Sequence, residues 1–291
     1  MKHVIRKAVF PVAGFGTRFL PVTKSIPKEM LPIVDKPMIQ YAVEEAVAAG
    51  IRELIFVTSA NKNSIGDYFD SNVELEHLLK RQQKYDLLKM VQNILPENVS
   101  CVFVRQHAML GLGHAILCAR DVVGDEPFAI LLVDDVIDNN KNPCLKQLVD
   151  VYEKEQGSVV AVQHLAEEEL SKYGVVDLAG VLDHYARMVG VVEKPKAGNA
   201  PSHFGVVGRY VLTPKIFELL ADMRPGAGGE IQLTDAIAQL LEDEAVFALE
   251  FEGKRYDCGS KLGYLEATIQ YGLKHPEISK DFLKMLKALK L

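Results

Sequence analysis

Residues 7–21 read KAVFPVAGFGTRFLP, an apolar segment that runs into two closely spaced glycines. Residues 7–13 are typical of a buried first strand, and the glycines at 14 and 16 follow it directly. Glycine lets a backbone approach a ligand closely and turn several N–H groups toward an anion. The stretch therefore predicts a phosphate-binding loop after the first strand or, equally well on these residues alone, a plain tight turn.

The glycine loop departs from the two most familiar phosphate loops. A dinucleotide-binding loop would have a third glycine where Phe19 stands. A P-loop would continue with Gly-Lys-Ser or Gly-Lys-Thr, which is absent here. Arg18 follows the glycines instead, and its planar guanidinium suits phosphate oxygens.

A proline-rich segment comes next, with the sequence PKEMLPIVDKP at residues 27–37. Together with Pro21, its prolines favour a rigid, extended, non-helical strap. Such a strap would carry Lys28 back past the glycine loop and place a second cation at the same phosphates. A solvent-facing lysine is the alternative, but the glycine turn, Arg18 and the braced lysine together favour a phosphate site.

The first half of the chain alternates between predicted strands and helices. Further strands are expected at 54–58, 101–105 and 128–133, and helices at 38–49, 75–94, 113–119 and 143–154. Gly50 is a good stop for the first helix, and the helix at 75–94 has a single apolar stripe. Because the strands are apolar throughout, they predict a mostly parallel sheet with helices on both faces.

After residue 155, strands follow one another with few helices between them. They are expected at 159–162, 175–178, 188–192 and 204–212, with later helices at 213–220, 234–242, 262–273 and 278–289. This change predicts added antiparallel strands that close one side of the sheet. No Ser/Pro-rich linker separates the halves, so residues 1–291 are expected to form one α/β domain.

Composition excludes several classes of protein. The 291 residues are 48% hydrophobic and 25% charged, which is ordinary for a globular protein. The longest apolar run, residues 128–133, is far shorter than the about 20 residues of a membrane span, and the N-terminus has no apolar signal segment. A net charge of −6 argues against general nucleic-acid binding. Four cysteines without a CxxC spacing favour a reducing, cytoplasmic location.

The glycine loop and the strap resemble those of the sugar-1-phosphate nucleotidylyltransferases. The motif Lys-Glu-Met-Leu-Pro is similar to that of the uridylyl branch of this family. The resemblance spans about residues 5–275. It continues downstream in the same order through VRQ (104–106), GLGHA (111–115), DD (134–135), YGV (173–175), VEKP (192–195), FGVVGRY (204–210), GEIQLTD (229–235) and YDCG (256–259).

The resemblance implies a Rossmann-like nucleotidyltransferase fold and a reaction of UTP with glucose 1-phosphate that gives UDP-glucose and pyrophosphate. Residues 1–155 would bind the nucleotide, the strands of residues 156–275 would form the sugar-binding wall, and residues 276–291 would be a C-terminal helix. The sugar-phosphate oxygen that attacks the α-phosphorus is already an anion and needs no strong base. The barrier is repulsion between anions, so cations and a metal ion are the groups to look for.

Two aspartates are the expected ligands of Mg²⁺, the cofactor that the resemblance implies. Asp134 follows the predicted strand at 128–133, and carboxyl ends of strands are where open α/β sheets bind ligands. Asp257 stands in the late motif that pairs with it in this family. Asp135 is expected to share the metal or to face the sugar. The alternative for the Asp-Asp pair is a strand-ending turn with solvated carboxylates.

Three cations are the expected catalytic residues. Arg18 and Lys28 would hold the triphosphate and the leaving group, and Lys194 would hold the phosphate of glucose 1-phosphate. Glu193 would accept hydrogen bonds from sugar hydroxyls, although a surface ion pair with Lys194 is the alternative. The remaining sugar-pocket positions implied by the resemblance are Gly174 and Val206.

Gln106 is the expected reader of uracil, because an amide can donate and accept at the same edge of the base. Thymine presents the same edge, so this residue cannot separate UTP from dTTP. Positions expected to complete the nucleotide site are Ala13, Gly14, Gly16, Thr17 and Gly111. His107 and His114 flank the glycine pair at 111 and 113, and a loop or helix-start histidine is the favoured interpretation of both.

Three other functions remain open at this point. A thymidylyltransferase for the same sugar phosphate is the first. A non-catalytic regulatory paralogue is the second, although it would be expected to lack some of the charged positions. A nicotinamide-dependent oxidoreductase is the third, and the missing third glycine argues against it.

The C-terminal segment is amphipathic, with apolar residues at 278, 282, 285, 286 and 289 and lysines on the other side. A helix on a membrane surface is one interpretation, but docking on the core or on a second subunit is favoured. The family resemblance implies a homodimer or homotetramer.

Overall fold

The computed structural model describes residues 4–139, 141–226 and 229–289. Residues 1–3 of the chain and the last two residues of the predicted C-terminal segment lie outside the described part. The strands are β1 (Lys7–Pro11), β2 (Pro32–Ile33), β3 (Lys36–Pro37), β4 (Glu53–Thr58), β5 (Ser100–Arg105), β6 (Phe128–Leu131), β7 (Asp135–Asp138), β8 (Ser158–His164), β9 (Gly174–Leu178), β10 (Tyr185–Glu193), β11 (Phe204–Leu212), β12 (Val246–Glu250) and β13 (Lys254–Asp257).

The helices lie between these strands and at the C-terminal end. They are α1 (Met38–Ala48), α2 (Asn63–Phe69), α3 (Val73–Arg81), α4 (Tyr85–Gln92), α5 (Leu112–Leu117), α6 (Arg120–Val123), α7 (Cys144–Glu155), α8 (Glu167–Leu170), α9 (Lys215–Asp222), α10 (Leu233–Asp243), α11 (Lys261–Lys274) and α12 (Ser279–Ala288). Short 3-10 turns cover Thr17–Phe19, Val22–Lys24 and Lys28–Met30. The predicted α/β class is confirmed.

One mixed sheet runs through both halves of the described chain, in the order β5-β4-β1-β6-β11-β8-β12-β10-β9. The strands β5, β4, β1 and β6 are parallel to one another. The apolar residues of β4 and β6 and residues 8–10 of β1 are buried, as the sequence predicts, whereas β5, the edge strand, is only partly buried. Their carboxyl ends share one edge, which therefore collects the loops that follow them.

The strands after residue 155 lie on one side of the parallel part, beyond β6, as the sequence predicts. Strand β11 lies in the middle of the sheet and pairs antiparallel with both β6 and β8. Strand β12, which the sequence pattern did not reveal, returns parallel to β8, and β10 and β9 complete the edge. The strands after residue 155 therefore extend the same sheet on its β6 side.

The single helix predicted at 75–94 is wrong. The structure has two helices, α3 and α4, joined by a turn in which Gln83 adopts a left-handed φ of 57°. The apolar stripe continues in sequence through the turn, so periodicity alone could not locate the break.

Helices cover both faces of the sheet, and the sheet separates the core into two layers. Helices α1, α7 and α11 pack on one face, and α5, α9 and α10 on the other. Helix α12 docks on α11, where a Cβ at Gly272 would come within 2.8 Å of the Phe282 ring. The C-terminal helix therefore packs on α11 of its own chain. Among the described residues, no helix has the length and apolar character needed to cross a membrane.

A separate two-stranded ribbon forms beside the main sheet. Strands β7 and β13 pair antiparallel, with Asp257 opposite Asp135. Since β7 begins just after β6, the ribbon brings the end of the chain's last strand to the loop edge of the parallel strands.

Candidate active site

The glycine loop rests on the proline strap. Gly16 has a left-handed φ of 64°, and a Cβ at this position would lie 3.1 Å from Cβ of Lys28 and 3.3 Å from Cγ2 of Thr23. The Thr23 hydroxyl donates to the Gly16 carbonyl at 2.9 Å. The expected approach of Lys28 to the glycine loop is therefore confirmed, and a side chain at position 16 would be strained by its backbone angle and crowded by Lys28.

Lys28 and Arg18 converge on one carboxylate. The Lys28 Nζ lies 2.5 Å from Oδ2 of Asp134, and Nη2 of Arg18 lies 4.0 Å from the same oxygen. Arg18 is 66% exposed, whereas Lys28 is only 18% exposed. Arg18 therefore keeps freedom to reach a ligand, while Lys28 is held in place.

The pKa values of Lys28 and Asp134 move apart. Burial alone would raise the pKa of Asp134, but the Lys28 ammonium outweighs it and lowers that pKa below its ordinary value. Burial likewise opposes the charge on Lys28, yet Asp134 and Glu29 raise its pKa. Both groups are therefore charged at neutral pH.

Asp134 and Asp257 face a common space at Gly259. A Cβ at this glycine would lie 2.9 Å from Oδ2 of Asp134, 3.0 Å from Oδ1 of Asp257 and 3.0 Å from Nη2 of Arg18. The Asp257 carboxylate also accepts the Gly259 N–H at 3.0 Å. The β7–β13 ribbon and the missing side chain together make a small acidic cradle beside two cations.

This cradle fits a hard divalent cation. In the described ranges, no group of three or more His, Cys, Asp and Glu side chains gathers around a point. Two carboxylates suffice for Mg²⁺, which keeps several oxygens from water and phosphate. The donor set of Asp134 and Asp257 therefore suits Mg²⁺ better than a metal that requires an all-protein cage.

Asp135 lies next to the cradle but has other partners. Its Oδ2 accepts the Gly208 N–H at 2.8 Å, and its Oδ1 accepts Nε–H of Arg255 at 2.6 Å. The side chain is 9% exposed. The two oxygens thus link β7 to β11 and to β13. Each of them already accepts a hydrogen bond from the protein.

A buried arginine supports the backbone around Asp134. Arg209 pairs with Glu45 through Nη2 and Oε2 at 2.8 Å, and it donates to the carbonyls of Leu132, Gly208 and Asp135 at 2.7 to 2.9 Å. Arg209 is 1% exposed. The turn that carries Asp134 is therefore clamped between α1 and β11.

A second buried ion pair lies under the strap. Lys62 Nζ contacts Oε2 of Glu29 at 2.7 Å, and Oε1 of Glu29 is buried without a partner among the described residues. Burial raises the pKa of Glu29 and lowers that of Lys62. The pair joins the residue after Lys28 to the segment that follows β4.

Gln106 lies at the carboxyl end of β5, where its N–H bonds to the Thr58 carbonyl at 2.9 Å. Its amide nitrogen lies 3.2 Å from the carbonyl oxygen of Gly111 and 3.0 Å from Nδ1 of His114. Gly111 has a φ of 94°, and a Cβ there would strike Glu230 at 2.8 Å. The structure therefore brings Gln106 and Gly111 together, but it uses the amide hydrogens that were expected to read the base.

Ala13, Gly14 and Thr17 lie on the loop after β1, at the same edge as Gln106. Ala13 is buried, while Gly14 and Thr17 are exposed. A Cβ at Gly14 would meet no atom within 4 Å, so the space above this backbone is open. That space is where a flat ring could approach the loop.

The second wall is formed by the antiparallel strands. Glu193 is the register partner of Gly174, and a Cβ at Gly174 would lie 3.3 Å from Oε2 of Glu193. Lys194 follows with a left-handed φ of 46° and 56% exposure, and its Nζ lies 3.2 Å from Oε1 of Glu193. Val206 is buried on β11, next to the residue that pairs with β9.

Arg255 and Tyr173 connect the two walls. Arg255 bonds to Asp135, donates to the Tyr173 hydroxyl at 3.2 Å and lies 5.1 Å above the Tyr173 ring. The Tyr173 carbonyl accepts the N–H of Lys194 at 3.0 Å. Arg255 was not singled out from the sequence. Only its contacts in the structure show that it links Asp135 to Tyr173, the residue whose carbonyl binds Lys194.

Comparison with known proteins agrees with this arrangement. A profile of the Nucleotidyl transferase family matches residues 7–272. UTP–glucose-1-phosphate uridylyltransferase 2 of Staphylococcus saprophyticus is 50% identical over 287 residues, which cover 99% of this chain and 99% of the relative.

Two solved structures are also similar over nearly their whole length. UTP-bound UGPase from Acinetobacter baumannii has a TM-score of 0.93 at 46% identity and covers 99% of this chain and 100% of its own. A UDP-glucose pyrophosphorylase complexed with UDP-glucose has a TM-score of 0.84 at 48% identity, with coverage of 94% and 100%.

Proposed function

The chain belongs to the nucleotidyl transferase family, and we propose that it is a UTP–glucose-1-phosphate uridylyltransferase, which makes UDP-glucose and pyrophosphate from UTP and α-D-glucose 1-phosphate. The observation that carries this function is the convergence of Lys28, Arg18 and Asp257 on Asp134 beside Gly259, in a chain that is 50% identical to a named enzyme of that activity.

Charge neutralisation is the main task of the site. Two phosphorylated substrates repel each other, and the pyrophosphate gains charge as it leaves. Arg18 and Lys28 would contact the triphosphate and the leaving group, and Lys194 would hold the attacking sugar phosphate. Fixed cations in a partly desolvated cleft stabilise such charge more than mobile ions in water do.

Members of this family generally use a divalent metal ion, and we propose Mg²⁺ with Asp134 and Asp257 as its protein ligands. When bound there, Mg²⁺ would neutralise phosphate oxygens. The 2.5 Å contact between Lys28 and Asp134 keeps that carboxylate ionised and correctly placed. Asp134 therefore offers the ion a charged oxygen at neutral pH.

The nucleotide would lie over the loop edge of the parallel strands. Gln106 would meet the uracil ring, with backbone groups of Ala13, Gly14 and Gly111 around it. The N–H groups of Gly16 and Thr17 would face the phosphates, since consecutive N–H groups of a glycine turn make an anion-binding concavity.

The sugar phosphate would lie against the antiparallel wall. Glu193 would accept hydrogen bonds from hexose hydroxyls, and Gly174 and Val206 would shape the pocket. We assign Asp135 to the support of this pocket, because Arg255 and the Gly208 N–H occupy its two oxygens. On this assignment, residues 156–275 form the sugar-phosphate half and residues 1–155 the nucleotide half.

The substrates are metabolites of the cytoplasm, where we propose that the enzyme works. We also expect self-association as a homodimer or homotetramer. Exposed apolar side chains on α11 and α12, among them Leu262, Leu265 and Met285, are available for such contacts.

An assay of pyrophosphate release tests the function directly. Purified protein with UTP, glucose 1-phosphate and Mg²⁺ should release pyrophosphate, and EDTA should stop the release. Uracil and thymine present the same N3–H edge, so Gln106 cannot distinguish them. Repeating the assay with dTTP in place of UTP therefore separates the uridylyl from the thymidylyl reaction. Faster turnover with dTTP than with UTP would refute the assignment of the nucleotide.

A further inference from the structure

The amide of Gln106 is held in one orientation by two acceptors. Its nitrogen lies 3.2 Å from the Gly111 carbonyl oxygen and 3.0 Å from Nδ1 of His114. A carbonyl oxygen can only accept, so the amide atom that faces Gly111 is the NH₂ nitrogen. The other hydrogen of that nitrogen then points to His114.

This arrangement also fixes the state of His114. Its Nδ1 must carry the lone pair, so the ring is neutral and its proton is on Nε2. That nitrogen faces Sγ of Cys118 at 4.0 Å.

The amide oxygen of Gln106 is the part left for a ligand. None of the described residues donates a hydrogen bond to it, although Gln106 is buried. An oxygen accepts the N3–H of uracil or thymine, whereas N3 of cytosine is itself an acceptor. Turning the amide by 180° would place its oxygen against two acceptors, Gly111 O and His114 Nδ1.

We propose that His114 is a positioning residue that locks the Gln106 amide oxygen toward the base and thereby makes the site select a pyrimidine with an N3–H over cytosine. This inference rests on the proposed contact of Gln106 with uracil. His114 acts through Gln106 and does not touch the substrate.

The experiment compares UTP with CTP in the full-length protein. The ratio of kcat/KM for the two nucleotides is measured by pyrophosphate release with glucose 1-phosphate and Mg²⁺. His114→Leu removes the acceptor, and His114→Asn replaces it with a side-chain oxygen at nearly the same place. His107→Leu is the matched control, because His107 is a nearby exposed histidine without a hydrogen-bond partner among the described residues.

His114→Leu should lower the UTP-to-CTP ratio about tenfold, the worth of one hydrogen bond. His114→Asn should restore most of it, and His107→Leu should leave it unchanged. In a Gln106→Leu background, His114→Leu should have no further effect on the ratio. An unchanged ratio in His114→Leu, or a loss that His114→Asn fails to restore, overturns the role of His114.

Two results separate this inference from the function on which it rests. If the wild type uses UTP but His114→Leu keeps its selectivity, only the inference fails. If the wild type releases no pyrophosphate from UTP and glucose 1-phosphate, both fail. A measurement on the folded wild type completes the test: ¹⁵N NMR of labelled histidine should show His114 as the Nε2–H tautomer, and an Nδ1–H tautomer overturns the proposal.

Discussion

Replacing Lys28 by methionine removes one positive charge while keeping most of the side-chain stem. The Lys28 Nζ lies 2.5 Å from Asp134 Oδ2 and its side chain is 18% exposed, so its charge is only weakly screened by water. Loss of one such group that stabilises developing charge costs about 2.7–4 kcal/mol, or about 10²–10³ in kcat. Arg18, 4.0 Å from the same carboxylate, remains and prevents a larger loss.

Initial rates of pyrophosphate release, with UTP and glucose 1-phosphate varied in turn, measure this effect. In Lys28→Met, kcat should fall by the stated factor while KM for glucose 1-phosphate changes by less than about threefold. Lys24→Met is the matched control, because Lys24 is an exposed lysine in the 3-10 turn just before the strap. Equal losses in kcat and in apparent affinity, or a kcat within about threefold of the wild type, would refute the catalytic role of Lys28.

Four further changes test the supporting structure. Arg209→Met should lower the free energy of unfolding by about 3–5 kcal/mol in urea titrations, because it leaves the buried Glu45 carboxylate without its partner. The control is Lys146→Met, which breaks the exposed ion pair of Lys146 with Asp150 and should cost less than about 1 kcal/mol. Similar losses in the two variants would refute the role of Arg209 as a clamp. Because folding lowers the pKa of Asp134, its ionised carboxylate stabilises the folded state at pH values above its ordinary pKa of 3.8. This stabilisation is lost as the pH falls through the lowered pKa. Stability should thus drop more between about pH 5.5 and about pH 3 in the wild type than in Asp134→Asn, and equal drops would contradict this. Lys194→Ala should raise KM for glucose 1-phosphate more than it lowers kcat, and an unchanged KM would make Lys194 a surface residue. Gly259→Ala should fill the acidic cradle and raise the Mg²⁺ concentration needed for half-maximal activity, and an unchanged requirement would place the ion elsewhere.

The local elements of the fold were predictable, but their order in the sheet was not. The apolar strands and the stop of α1 at Gly50 follow from short-range patterns. The central place of β11 and the return of β12 beside β8 depend on pairings between segments far apart in the chain. Such pairings leave no mark on the periodicity of one segment.

The site shows the same division. Lys28 was placed beside the glycine loop from its prolines, because a rigid strap limits where its residues can lie. Arg255 and His114 could not be assigned from sequence, since their roles come from partners such as Asp135 and Gln106. A buried arginine in the apolar strand β11 was a signal in the sequence, because a charge is seldom placed there without a partner.

The central claim is that the acidic cradle at Gly259 holds a metal ion beside the phosphates, between the strap and the antiparallel wall. A crystal structure of the protein with UDP-glucose and Mg²⁺ tests it most directly. The account predicts an ion bound by Asp134 and Asp257, with the side chains of Arg18 or Lys28 and of Lys194 turned toward the diphosphate. A complex in which the ion lies elsewhere and these cations point away from the bound nucleotide sugar would contradict it.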